Sequence, residues 1–483
     1  MEILAGFQPE IVFKYFEEIS KIPRPSGKEE KIIQYLLQFA EKYSLEYKKD
    51  DVGNVLITKP ASKGKENCET LVLQAHVDMI IDKNEGVEHD FENDAISMYV
   101  ENGWIKARGT TLGADCGIGV AAALAALTDN NLKHCKLECL FTVDEERELL
   151  GAKCLPANFF TGKTLVNLDS EDEGELFIGC AGGINSTATF SYNIEPTPSE
   201  YIGFKVAIGG LIGGHSGDDI NKGRANAVKV LDRFLWRMSH KFDFRISHYE
   251  GGNKSNAIPR EAYAILTVHK GLKTALMASF DVFKDDIEEE FGKVETKVFV
   301  SLTEVEQPAY VIDELTQFEV LATLHACPTG VLRMSDEMPN LVETSMNIAS
   351  IKFDDKTIVI TTSQRSSIDS KKFYAVDIFK SLFSLTNACV KVSDGYPGWK
   401  PNFNSPILQT TKSIYEKLFN QSPLIRVVHA GLECGLFLEK YPNIDMISIG
   451  PTIKDAHSPD ERLEIASVVK FWALLKGVIE THC

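Results

Sequence analysis

The sequence predicts an α/β fold: a mixed sheet flanked by helices, interrupted by an inserted α+β domain. Three observations carry this. Short apolar runs, each long enough for a buried strand, recur through the first part and end on acidic residues or histidine. The texture then changes near residue 186 and returns to α/β character after residue 398. Finally, 483 residues exceed what one compact core accommodates. The expected domains are 1–185 and 399–483, forming one catalytic body, with 186–398 inserted between them.

Composition narrows the function classes. Hydrophobic content of 44% and charged content of 25% are those of a soluble globular protein. A net charge of −18 argues against nucleic acid or an anionic membrane surface as partner. No apolar stretch approaches the ~20 residues of a membrane span. The opening MEILAGFQPEIVFKYFEEIS has acids early and no cleavage site, so no signal peptide is expected. Ten cysteines without a C-x-x-C pair predict reduced, buried thiols and a cytoplasmic location.

Residues 8–20 and 27–43 read as amphipathic helices, the second following Pro23-Arg24-Pro25-Ser26-Gly27, with Ser26 as the expected N-cap. Strands are expected over 45–58 and 70–75. The latter runs into His76-Val77-Asp78, and in extended backbone residues two apart share a face. A polar excursion from Asp82 ends in a strand around Trp104, and the turn Gly109–Gly119 opens an Ala-rich helix over Val120–Leu127. Asp115 stands at that helix start, where a carboxylate is electrostatically favoured; a simple N-cap is the plain alternative. Strands over 137–143 and 164–168 end in Asp144-Glu145-Glu146 and Asp169. In open α/β sheets the C-terminal strand edge is where ligands bind.

The inserted region alternates strands (203–209, 262–268, 297–303, 344–352, 356–363) with helices (225–240, 273–291, 312–326, 370–386). Stretches 255–302 and 340–395 share an element order consistent with duplication. Gly395-Tyr396-Pro397-Gly398-Trp399 reads as a boundary turn. A helix over 405–419, strands over 424–428 and 445–449 and a helix over 463–481 return to the first texture. They carry His429-Ala430-Gly431 and Asp455-Ala456-His457 between them.

His76, Asp115, Glu146, Asp169 and His457 form a candidate two-metal set. Mixed imidazole and carboxylate donors suit Zn2+, and also Mn2+ or Co2+. Two ions need a bridging carboxylate and a water made acidic between them. Glu145, next to a ligand but free of coordination, is placed to act as base. Asp78 is placed to hold the second ring nitrogen of His76.

These residues lie in motifs that resemble the M20 co-catalytic zinc peptidases, and most closely the aminoacyl-histidine dipeptidases. The resemblance spans essentially the whole chain. It runs through Asp51-Val52-Gly53-Asn54, Leu73–Met79, Gly109–Gly119 and Phe141–Glu146, then Asn167–Glu171 and Gly179–Gly183. Gly214-His215-Ser216-Gly217, Gly223–Asn226, His429–Gly435 and Asp455–Pro459 complete it. It implies a di-zinc exopeptidase-like catalytic domain with an inserted lid, and a homodimer formed through that lid. It implies His76 and Asp169 on one ion, Glu146 and His457 on the other, and Asp115 between them. Asp78 would orient His76, Glu145 would serve as base and then acid, and His215 would polarise the scissile carbonyl. Asn256, Arg365 and the Gly431 backbone would grip the substrate's C-terminal carboxylate, for which a planar guanidinium is well shaped.

The chain departs from the family at Glu148, where relatives carry glycine, and at Cys116, where the wider superfamily has aspartate. The resemblance also implies a cis peptide after Asp115. The activity expected is hydrolysis of dipeptides with a free C-terminus, Xaa-His substrates among them, by a metal-bridging hydroxide with Glu145 as general base. Small peptides are the expected partners. The alternatives are another M20-type amide hydrolase, such as an N-acyl amino acid deacylase, and a non-catalytic metal-dependent binding protein.

Overall fold

A computed structural model describes residues 3–482, apart from the Glu148 side chain. The expectation attached to Glu148 therefore lies outside the described residues. The chain divides into two compact units. The first comprises the residues up to Cys180, Trp399–Val427 and Leu432–Cys483; the second comprises Ala181–Gly398 with Val428–Gly431.

The first unit holds an eight-stranded mixed sheet. Its spatial order is Glu46–Lys49, Val55–Lys59, Leu137–Thr142, Leu71–His76, Thr164–Asn167, Asp445–Ser448, Glu175–Cys180 and Leu424–Val428. Leu71–His76 pairs in parallel with Leu137–Thr142 and with Thr164–Asn167, and the latter pairs in parallel with Asp445–Ser448. Both faces of these strands are covered, which explains why Leu71–His76 and Leu137–Thr142 are buried throughout and read as apolar runs. Register sets His76 opposite Thr142 and Gln74 opposite Asn167. The residues just beyond these strands therefore emerge at one edge. Helix Ala114–Thr128 is buried along nearly its whole length, its small side chains allowing close approach to the sheet.

Several boundaries differ from the sequence reading for local reasons. The strand expected over 45–58 is a hairpin, because Asp50 Oδ1 accepts the N–H groups of Val52, Gly53 and Asn54 (3.2, 2.9 and 2.8 Å) and turns the chain. Ser26 is not a helix cap. Its Oγ donates to Met79 O (3.2 Å), and the helix starts later, at Glu30. Strands Glu175–Cys180 and Gly182–Ser191 had no sequence counterpart, since the glycines at their junction mask β-propensity. Cys154 and Cys389 are exposed rather than buried. The Asp115–Cys116 peptide is cis.

The second unit is built on a nine-stranded sheet. A single apolar cluster joins that sheet to its helices, with Phe204, Val206 and Leu266 meeting Phe234, Phe283, Leu321 and Phe379. Apart from this sheet, Gly214–His215 pairs with Ala257–Ile258, which fixes the His215 loop against the Asn256 turn.

Candidate active site

Five of the predicted ligands converge beyond the sheet edge of the first unit. Asp115 faces two histidines with its two oxygens: Oδ1 lies 3.2 Å from His76 Nε2, and Oδ2 lies 3.0 Å from His457 Nε2. Asp169 Oδ1 is 3.2 Å from the same His76 nitrogen, and Glu146 Oε2 is 3.0 Å from the same His457 nitrogen. Two donor triads thus share one carboxylate, one oxygen to each.

The spacing fits metal ions. Donors ~2.0 Å from a tetrahedral ion lie ~3.3 Å apart along the tetrahedron's edge, close to the 3.0–3.2 Å found here. Glu146 Oε1 is buried without a hydrogen-bond partner, a costly state unless a cation compensates. Cys116 also lies close to His76 and Asp169, but its thiol donates to Leu168 O (3.3 Å) and burial pushes its pKa well up.

The protonation pattern follows from crowding acids around two imidazoles. Burial alone would lower His76, but Asp169, Asp115 and Asp78 outweigh it and raise its pKa well above the usual range. His457 is likewise pushed up, against burial, to about 11 by Asp115 and Glu146. Burial and Asp115 raise Glu146 to about 7. The two histidine bonds hold Asp115 low despite its burial. Bound cations would replace those protons, so the same field that raises the histidines attracts metal.

Glu145 stands beside both triads without belonging to either. Burial, and then the nearby Asp169, Glu146 and Glu433 carboxylates, raise its pKa well above the usual range. Asp78, fully buried, holds this segment: Oδ1 accepts the Glu145 N–H (3.0 Å) and Oδ2 the Glu146 N–H (3.3 Å). The same Oδ1 lies 3.3 Å from His76 Nδ1.

The predicted substrate-binding residues lie in the second unit. Arg365 Nη2 is 3.4 Å from His215 Nε2, and its Nη1 donates to Tyr396 Oη (2.8 Å). Gly431 packs on the Tyr396 ring, where a Cβ would come within 2.7 Å. Asn256 accepts the Ser216 N–H on its backbone oxygen (2.8 Å), and its side chain is exposed. His215 Nδ1 accepts from the Gly217 and Asp218 N–H groups (3.3 and 3.2 Å) and lies 3.4 Å from Asp218 Oδ2. Arg365 Nε, His429 Nδ1 and Ser216 Oγ are buried and unpartnered, so this cluster has donors to spare for an anion.

Comparison with known proteins places the chain in a family. The model of peptidase family M20/M25/M40 matches residues 72–481. The chain belongs to this family. It is 41% identical over 480 residues to the cytosol non-specific dipeptidase of Escherichia coli (strain K12), covering 99% of each. Its structure aligns with that of aminoacylhistidine dipeptidase from Vibrio alginolyticus at a TM-score of 0.87, with 41% identity over 99% of this chain and 98% of that one. The aminopeptidase PepT structure from Bacillus cereus, at 16% identity and a TM-score of 0.57 over 99% of both chains, shares the fold.

As an M20 peptidase the chain is a peptide-bond hydrolase. Some of the polar framework was not read from the sequence. Tyr396 sat unnoticed in a boundary turn, His429 in a quoted motif without a role, and Arg24 between two prolines. A charge held in so rigid a turn as Pro23-Arg24-Pro25 is the signal that could have drawn attention to Arg24. Glu461 gave none.

Proposed function

We propose that this M20 peptidase is a cytoplasmic dipeptidase with two divalent metal ions, acting on dipeptides with a free C-terminus, Xaa-His substrates among them. The observation that carries this is the pair of donor triads sharing Asp115, with the Glu145 carboxylate close to His76, Asp169 and Glu146. His76 and Asp169 would hold one ion, Glu146 and His457 the other, with zinc the first candidate and Mn2+ or Co2+ the alternatives. When bound, the ions polarise the scissile carbonyl and acidify water.

The protein's own residues supply the rest. Glu145 takes a proton from the attacking water and returns it to the leaving amine. Asp78 fixes Glu145 through its backbone and orients His76 through Nδ1. In the second unit Arg365, Asn256 and the Gly431 backbone serve the C-terminal carboxylate, and His215 offers Nε2–H to the developing oxyanion. The inserted region acts as lid and as the surface of a homodimer. The cytoplasmic assignment draws on the relative named for the cytosol and on the absence, among the described residues, of a helix able to cross a membrane.

The deciding experiment pairs wild type with Glu145→Gln, measuring metal content and hydrolysis of panels of dipeptides and N-acyl amino acids. The expected result is a wild type that cleaves dipeptides and a variant with full metal content and at least ~100-fold lower kcat. Full activity in the variant would overturn the mechanism. Wild-type preference for N-acyl amino acids would make it a deacylase, and two bound ions with no hydrolysis would make it a binding protein.

A further inference from the structure

The N-terminus of helix Ala114–Thr128 poses a local problem. The chain enters it through non-helical backbone at Asp115 and Cys116, and the turn leading into them carries four consecutive N–H groups that need acceptors. Glu461 takes all four from far along the chain: Oε2 accepts from the Leu112 and Gly113 N–H groups (2.7 and 2.9 Å), and Oε1 from those of Ala114 and Asp115 (2.7 and 3.4 Å). The carboxylate is buried, so these are its only described partners, and charge-assisted bonds of this kind are strong.

The opposite side of the same turn is held by Arg24, which is also buried. Nη2 donates to Gly113 O (2.5 Å), while Nη1 donates to Val77 O and Asp78 O (3.0 and 3.2 Å). One guanidinium thus ties the segment following His76 to the turn carrying Asp115. Space for it comes from two glycines: a Cβ at Gly113 (φ +69°) or at Gly117 would each lie 2.6 Å from Arg24 Nη2.

We propose that Glu461 is a positioning residue for the shared carboxylate. By taking the N–H groups of Leu112–Asp115 it fixes the backbone from which Asp115 turns one oxygen to His76 and the other to His457, while Arg24 fixes the carbonyl side of the turn. This inference rests on the two-metal reading above. Without the Glu461 carboxylate, the turn loses its anchor, Asp115 no longer meets both histidines at once, and the triads lose their common member. Each triad keeps two donors of its own, His76 with Asp169 and Glu146 with His457, so a single ion can still bind and what is lost is the bridged pair.

The test is Mn2+ binding by the full-length chain. Wild type and Glu461→Gln are titrated calorimetrically, with EPR of the loaded proteins to read spin coupling between neighbouring ions, and melting curves of the metal-free forms. The amide keeps the shape but turns an NH2 group toward backbone donors. In Glu461→Gln the first ion is expected to bind as in wild type and the second about tenfold or more weakly, with the coupled signal lost at two equivalents and hydrolysis recovered by excess Mn2+. A merely structural cap gives a different pattern: a lower metal-free melting temperature with both affinities and the coupled signal unchanged. That pattern would overturn the proposal. If Glu461→Gln does not fold, Glu461→Asp, which keeps the charge on a shorter arm, is measured in the same way. Failure of both to fold would reduce Glu461 to a fold-holding cap and equally overturn the proposal. A wild type that never binds a coupled pair would instead refute the two-metal reading itself.

Discussion

Asp78 shows how much one buried carboxylate can hold at the scale of single residues. It accepts the N–H groups of both Glu145 and Glu146 and lies against His76 Nδ1, so it touches the settings of the proposed base and ligands together. Asp78→Ala is expected to lower kcat/KM and metal affinity by about 10–100-fold, measured by steady-state hydrolysis and metal titration. A change confined to KM would show that Asp78 does not act through His76. His429 makes a pH prediction. Burial, then the Arg365 charge, lowers it to about 3, with Nε2 2.8 Å from Ser345 Oγ. Between that value and the unfolded value of ~6.5, the unfolded chain binds the extra proton. Stability is therefore fully present above pH ~6.5 and declines as pH falls toward 3. His429→Gln should flatten part of that decline in melting temperature; an unchanged slope would remove His429 as its source. His76, Glu146 and Asp169 were legible because each follows a short apolar run, and Asp115 because it opens a helix, whereas His457 stood out only in its Asp455–Pro459 motif. Arg24 and Glu461 were not legible, because each acts on backbone far away in sequence and leaves no spacing pattern.

At the scale of elements, helix Glu314–Ala326 offers a case where one side chain closes a helix end. Lys229 Nζ donates to Leu324 O, His325 O and Cys327 O (2.6, 2.6 and 2.8 Å), taking carbonyls the helix cannot satisfy itself. Asp232, fully buried on the neighbouring helix, faces the same ammonium. Lys229→Met strands three acceptors and leaves Asp232 without its nearest cation. The expected loss is about 2–3 kcal/mol of unfolding free energy, read from denaturant midpoints with an unchanged m-value. A loss below about 0.5 kcal/mol would mean water serves these carbonyls equally well. Most helices and buried strands were readable from period and run length, since an amphipathic helix or a doubly covered strand writes its environment into its composition. The Glu175–Cys180 and Gly182–Ser191 strands escaped because neither signal survives across glycines. The Asp50–Asn54 hairpin escaped because a side chain, Asp50, makes the turn.

At the scale of the whole molecule, the two units carry different kinds of stability. The second is joined by an apolar cluster spanning its sheet and helices. The first adds to its apolar core a knot of buried charge: Asp115, Glu145, Glu146 and Asp169 facing His76 and His457. Like charges so close are tolerable when cations or protons balance them, and cations bind only the folded site. Metal bound at the proposed site is therefore expected to stabilise the first unit by mass action, about 2.7 kcal/mol at a free concentration a hundred times Kd. Chelation removes that term and also leaves the acids to repel. Hydrogen exchange followed by mass spectrometry can read where the loss falls. With EDTA, protection should drop in Leu71–His76, Ala114–Thr128 and Thr164–Asn167, the elements that present the donors. Ala227–Ser239 and Ala262–His269, packed in the other core, should keep theirs. A uniform loss across both units would show that the charge knot is coupled to the entire fold. No loss in either would mean that protons alone balance the acids.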